Sequence, residues 1–362
     1  MGHETIIYLN QKQFGDREQV VASCGTLSAT TFRYRSGVCG LRLMNAHGAT
    51  VLLPFQGQQI WSATFGGRDL TMRSMFTEPR PVPEFLHTFG GFMQHCGLSG
   101  IGGPGPEDTH ALHGELPNAS YQEAYLISGE DQRGPYLALG GRYRHTVAFA
   151  LNYIAQPLVR LYEDEKRLQI TMTVTNDKRS PMEFLYLAHT NFRPVNGGRL
   201  VYSAPSTRDQ VRVRTTIPRH ISPAPGYTEF IDQLAQDPSA HETFTADLAF
   251  DPEVVFFIDY LADGAGWAHT LQIHPDGSAD YLRHRPAELP RATRWISRTP
   301  DQDAVALAEV GTGEPEGYTA EKRKGNVRVL GPGEKFSATF EAGYLDPDAA
   351  ARLEAHVQEI VD

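Results

Sequence analysis

Along most of this chain apolar and polar residues alternate in short runs broken by Gly, Asn, Asp or Pro. Side chains two apart share one face of a strand, so each run predicts a strand with a buried side and a wetter side. The first group is Thr5–Leu9, Leu27–Tyr34, Gly40–Met44, Thr50–Pro54 and Gln58–Ala63, close enough in sequence to read as hairpins. From Tyr143 onward the pattern predicts Thr146–Tyr153, Pro157–Tyr162, Arg167–Asn176 and Met182–Thr190, with Glu163-Asp164-Glu165-Lys166 and Asn176-Asp177-Lys178 as turns. Trp267–His274 and Ala279–Arg285 flank Asp276-Gly277, a strong hairpin signal. Ala304–Glu309, Asn326–Leu330 and Lys335–Tyr344 complete the set.

Helical spacing is scarce. Thr228–Ala235 predicts two turns, and Pro347–Val361 predicts a terminal helix with Asp346 as N-cap and Pro347 at its first position, placed to cover a sheet edge. The fold class expected is therefore all-β, two packed antiparallel sheets in one domain spanning residues 1–362. Within it, residues 1–77 form N-terminal strands, 78–117 a loop region, 118–345 the main sandwich and 346–362 the helix. The stretch from Glu78 to Pro117 has no clear period and is rich in Gly, Pro and His; long irregular segments of compact domains tend to carry function.

Composition narrows the function classes. A formal charge of -10 without a Lys/Arg block argues against nucleic-acid or anionic-membrane partners, which need a clustered positive field, and favours a small neutral substrate. The 3 cysteines, Cys24, Cys39 and Cys96, are too few and too scattered for a disulfide framework or a CxxC zinc site, so a reducing, cytoplasmic setting is expected. The start, Met1-Gly2-His3-Glu4, has neither a basic nor an apolar leader region. The pattern leaves oligomeric state open.

Three stretches carry candidate chemistry. His87, His95, His110 and His113 cluster in Gly-rich surroundings, suited to proton transfer or metal ligation; His110-x-x-His113 is a weak metal signal with only His95 near it. Tyr186-Leu187-Ala188-His189-Thr190-Asn191-Phe192 ends a strand, so His189 and Asn191 project together as a proton donor and a hydroxyl clamp, or else His189 simply packs at a strand end. Glu309 closes the apolar run Val305-Ala306-Leu307-Ala308; a carboxylate partly desolvated there has its pKa raised toward the range of a general base, while a solvent-facing Glu is the plainer alternative.

Taken in order, these stretches and the Gly331-Pro332-Gly333-Glu334 turn resemble the aldose 1-epimerase (galactose mutarotase-like) superfamily, and most closely its bacterial, DUF4432-like branch of formerly unknown function. The resemblance runs over roughly Phe85 to Phe340. It implies a β-supersandwich with an open cleft on one broad sheet, and interconversion of the α and β anomers of a free sugar without cofactor or metal. By resemblance Glu309 is the general base at the C1 hydroxyl, His189 the general acid at the ring oxygen, and His113 its neighbour on that oxygen. The family's sugar-contacting Arg is absent from Phe89-Gly90-Gly91-Phe92-Met93-Gln94-His95-Cys96, so Gln94, His95, or Arg68 and Arg73 from another strand are the expected substitutes. Asn191 and His110 join the expected sugar contacts, Asp259 or Asp263 stands for the hydroxyl-gripping Asp, and Trp295 or Trp267 for an aromatic platform. A non-catalytic carbohydrate-binding protein, or a lyase or hydrolase using His95, His110 and His113 with a metal, are the competing readings.

Overall fold

The computed structural model describes residues 4–217 and 221–362. The reading of the chain start rests on Met1–His3 and lies outside the described residues.

Arg167–Asn176 shows how the alternation becomes structure. Leu168, Ile170, Met172 and Val174 are buried, while Arg167, Gln169, Thr171 and Thr173 lie half-exposed on the other side. This strand sits at the centre of a nine-stranded antiparallel sheet. Thr5–Leu9, Glu123–Asp131, Gly134–Val147 and Leu151–Tyr162 lie to one side of it, and Lys335–Leu345, Ala279–His284, Ala268–Ile273 and Arg199–Tyr202 to the other. The second sheet runs Val211–Val213, Phe250–Ile258, Arg291–Arg298, Glu309–Gly311, Met182–Thr190, Met93–Leu98, Ile60–Phe65, Gly48–Leu52, Cys39–Asn45, Leu27–Arg33 and Gln19–Cys24. The two sheets share one apolar core, in which Ile170, Met172 and Val174 of the first meet Phe184, Tyr186 and Ala188 of the second. The all-β supersandwich expectation holds.

Met182–Thr190 differs from Arg167–Asn176: all but Glu183 of its residues are buried, so both faces are covered. Leu185 and Leu187 belong to a second apolar cluster with Phe85, Phe89, Val255, Phe257 and Trp295, on the side away from the shared core. That outer face of the second sheet holds the candidate site.

Several expected elements have other bounds. Thr146–Tyr153 is not a strand; Ala148-Phe149-Ala150 is the turn between two long strands, with Phe149 at φ 67 and fully exposed. Its apolar residues mimic a strand although they sit at a loop tip. The region 78–117 is not wholly irregular: Met93–Leu98 is a strand whose six residues are all buried, which erases the alternation that would have announced it. Glu123–Asp131, Phe250–Ile258, Arg291–Arg298 and the helix Tyr318–Lys324 were also not anticipated. The terminal helix spans Pro347–Val361 as expected, yet it packs on the outer face of the nine-stranded sheet, against Leu271, Ile273 and Tyr281, and does not simply cap an edge. Among the described residues no helix is long and apolar enough to cross a membrane.

Ala304–Glu309 is broken in a way that matters. Val305 pairs with Ile296 and Glu309 with Thr293, so four steps on one strand oppose three on the other. The extra residue is a β-bulge, which twists the strand and re-aims the side chains beyond it.

Ile170→Ala, which empties space between the sheets, should cost about 2–5 kcal/mol of unfolding free energy. Thr175→Ala, on the wet face of the same strand, should stay within roughly 0.5 kcal/mol. Denaturant unfolding of both variants checks the assignment of faces.

Candidate active site

His189 ends the strand Met182–Thr190 on the same side as Leu185 and Leu187, hence on the outer face. Leu187 pairs with Gly311 and Ala188 with Val310, so one further step puts His189 beside Glu309, immediately after the bulge. Nε2 of His189 lies 3.2 Å from Oε1 of Glu309, a close contact that is not aligned as a hydrogen bond. The two side chains are 5% and 2% exposed, which makes this a dry acid–base pair.

Aromatic rings enclose it. Trp295 meets His189 edge-on at 5.4 Å between centroids, Phe89 at 5.3 Å, and His113 at 5.3 Å. Phe85 covers His113 at 4.6 Å and Phe89 at 4.9 Å, so the segment containing both phenylalanines roofs the pair. The open cleft implied by resemblance is closed here. His113 is held at φ 60 and its Nδ1 accepts from the backbone N–H of Gly102. Gly114 follows at φ 78, where an added Cβ would lie 2.4 Å from the Gly97 carbonyl oxygen, so only glycine fits.

Glu253 and Arg214 complete the outer-face network. Indole Nε1 of Trp295 donates to Glu253 at 2.7 Å, and Arg214 pairs with the same carboxylate at 2.6 Å. Neither residue was singled out from sequence; the signal lay in Phe250–Ile258, where Glu253, Val255 and Phe257 share a face.

Burial sets the protonation states. It pushes the Glu309 carboxyl well above the usual range; the Glu253 charge adds to this and Arg214 opposes it. Burial depresses His189 to about 4, with the Asn191 side chain opposing. Burial also raises the Cys96 thiol, helped by the charge of Glu309, leaving it neutral. Nδ1 of His189, Oε1 of Glu309, Oε1 of Gln94, Oδ1 of Asn191 and Oγ1 of Thr293 are buried without a hydrogen-bond partner among the described residues. Leaving such an atom without a partner costs about 1–3 kcal/mol.

The other expected site residues divide. Gln94 pairs across from His189 on the same face, and Asn191 follows His189, anchored through its amide to the Gly91 carbonyl. His95 instead turns toward the shared core, where Nδ1 bonds the Tyr186 hydroxyl at 2.8 Å. His110 braces the 99–117 loop against the start of the helix Tyr318–Lys324: Nε2 accepts from the Tyr318 N–H at 3.3 Å and lies 3.6 Å from Asp108. His95, His110 and His113 therefore do not converge, which removes the geometric basis of the metal-assisted reading through those three. Arg73 donates to the Pro300 carbonyl, and Arg68 pairs with Asp280 of the other sheet. Asp259 sits half-exposed, tied to Arg212 and 3.8 Å from Arg291. Trp267 lies under Arg283 and Arg285, and Asp263 bonds His269 on the nine-stranded sheet.

The chain belongs to the family described as a domain of unknown function, DUF4432, whose model matches residues 36–343. Its fold is that of galactose mutarotase-like proteins. A protein of Klebsiella pneumoniae subsp. pneumoniae, provisionally described as an aldose 1-epimerase, superposes with a TM-score of 0.81 at 16% identity, over 100% of this chain and 96% of that one. A galactose mutarotase-like protein from Clostridium acetobutylicum gives 0.60 at 14% identity, over 89% and 99%. The Slr1438 protein of Synechocystis sp. PCC 6803 gives 0.59 at 15%, over 84% and 95%. No curated protein matches the sequence.

A carboxyl whose pKa is raised by folding favours the folded state below its unfolded value, and that contribution is lost as pH rises through the folded value. Wild type should therefore lose stability relative to Glu309→Gln as pH rises above 4.5, the ordinary value of a Glu carboxyl. Melting temperatures of the two proteins at rising pH test the sign.

Proposed function

We propose that this protein is a mutarotase, an aldose 1-epimerase that interconverts the anomers of a free sugar at the His189–Glu309 pair. The observation that carries the reading is the 3.2 Å contact between these two groups in a dry, aromatic-walled site with His113 beside them. Membership of the family and the mutarotase-like fold support it.

Ring opening of a cyclic hemiacetal removes a proton from the C1 hydroxyl and delivers one to the ring oxygen. Those two oxygens hang on the same carbon, so the acid and base that serve them must be close neighbours. Glu309 as carboxylate takes the hydroxyl proton, His189 as imidazolium protonates the ring oxygen, and His113 steadies that oxygen. The C1–C2 bond of the open aldehyde then rotates, and the two groups reverse their roles to close the ring from the other face. Burial favours neutral acid and neutral imidazole in the resting pair. One proton passing from Glu309 to His189 gives the working pair without any change in total charge.

Gln94 and Asn191, with their unpartnered carbonyl oxygens, receive sugar hydroxyls in this reading, and Trp295 faces the ring. The sugar enters when the segment holding Phe85 and Phe89 moves aside. The core shared by both sheets supports treating residues 1–362 as one domain.

Glu309→Gln and His189→Gln should each lower the catalysed anomer exchange by about 10²–10⁴-fold, read by NMR exchange or polarimetry on neutral and acidic aldoses. A wild-type protein that accelerates none of those sugars, or a Glu309→Gln variant as fast as wild type, refutes the proposal.

The pair works while it holds one proton in total. With His189 depressed to about 4, a second proton is added only near that pH. The acid limb of the pH–rate profile should accordingly fall near 4, well below the 6.5 of an ordinary imidazole. With Glu309 raised, the plateau should extend through neutrality. An acid limb at the ordinary imidazole value would count against a buried working pair.

A further inference from the structure

A second cluster of histidines stands on the opposite sheet, where the proposed reaction does not use it. Asp263 lies in the loop between Phe250–Ile258 and Ala268–Ile273, His269 near the start of the latter strand, and His356 on the terminal helix Pro347–Val361. Oδ2 of Asp263 is 3.0 Å from Nε2 of His269 and 3.4 Å from Nε2 of His356. All three atoms lie within 4.8 Å of one another. From these we propose that Asp263, His269 and His356 form a binding site for a divalent first-row transition metal ion that clips the C-terminal helix to the sheet.

The two separations from Asp263, hydrogen bonds in the metal-free protein, also suit an ion. Bonds of about 2.0–2.1 Å around one metal put neighbouring ligand atoms roughly 3.0–3.4 Å apart, from octahedral to tetrahedral geometry. The orientation of the ligands suits it too. Oδ1 of Asp263 already accepts from the backbone N–H groups of Ala265 and Trp267, which leaves Oδ2 aimed at the two imidazoles. Both rings present Nε2 inward and keep Nδ1 for an outer partner: His269 bonds the Tyr281 hydroxyl at 2.9 Å, and His356 has Glu359 at 3.6 Å. Metal-bound histidines are oriented by such outer contacts. The rings stand at 72° to one another, so neither blocks the other's approach. Two imidazoles and one carboxylate favour zinc, iron or nickel over magnesium or calcium, whose sites are built from oxygen.

The acidic cluster Glu314, Glu316 and Glu321 is a contrasting case, since Lys324 already occupies its centre with Nζ within 2.9 Å of each carboxylate. At Asp263 no cation of the described protein takes that position. The His356 side chain is 42% exposed while His269 is 4% exposed, so an ion would enter from the helix side and keep a coordination position open to water.

The test uses full-length protein stripped with a chelator and titrated with ZnCl2 by calorimetry, with thermal melting recorded alongside. One Zn2+ per chain and a higher melting temperature are expected. His356→Ala should weaken that binding by at least about tenfold, and Asp263→Asn, which keeps the Oδ1 acceptor, should do the same. Circular dichroism of each variant verifies folding, and anomer exchange should be unchanged in both because neither residue lies near His189. Absence of Zn2+ binding, or undiminished binding in both folded variants, overturns the proposal. Either result leaves the mutarotase reading untouched.

Discussion

A carboxyl group and an imidazole, both out of water and 3.2 Å apart, impose the requirement that organises one whole side of this protein. Neither group would choose to be there alone: burial pushes Glu309 toward its neutral acid and His189 toward its neutral base. The contact is tolerable because one proton can lie on either partner, so the pair need never present an isolated charge to the apolar surroundings. The same need dictates its neighbours. Trp295, Phe89 and His113 pack around the imidazole, and the pairing of Ala188 with Val310 sets Glu309 beside it.

Such a site is destabilising in itself, since several polar atoms around it are buried without partners. The compensation lies in the shared core, where two sheets of many strands bury a continuous apolar layer. A fold with one large core can hold a costly polar group on an outer face, where a small domain could not. The same reasoning separates the outer faces of the two sheets. On one, loops and aromatic rings close over the acid–base pair; on the other, the terminal helix lies over Leu271, Ile273 and Tyr281.

Identity of only 16% to the Klebsiella pneumoniae protein, with a TM-score of 0.81, fits a fold specified chiefly by the pattern of inward-facing positions. Any residue of suitable size can fill an inward position, so the pattern survives when most side chains have changed. Polar groups that meet across strands are less interchangeable. His189 faces Glu309 only because three separate strand registers and one extra residue agree.

Sequence alone determined several elements bounded by clear turn residues. Arg167–Asn176 and Met182–Thr190 have the bounds that alternation and turn residues predict, as do Thr5–Leu9 and the terminal helix Pro347–Val361. It also singled out His113, His189 and Glu309, through motif order and through the apolar run that ends at Glu309. Tertiary structure alone decided the rest. Met93–Leu98 is buried on both faces and so has no period to read. Adjacent residues of a strand face opposite sides, and the packing of the sheet sends His95 to the core and Gln94 to the site. The bulge at residues 305–309 is a mismatch between two strands, a property of the pair that neither strand carries in its own residues. Pairwise geometry of this kind comes into being only when distant segments meet, which is why candidate residues could be picked out along the chain but their arrangement could not.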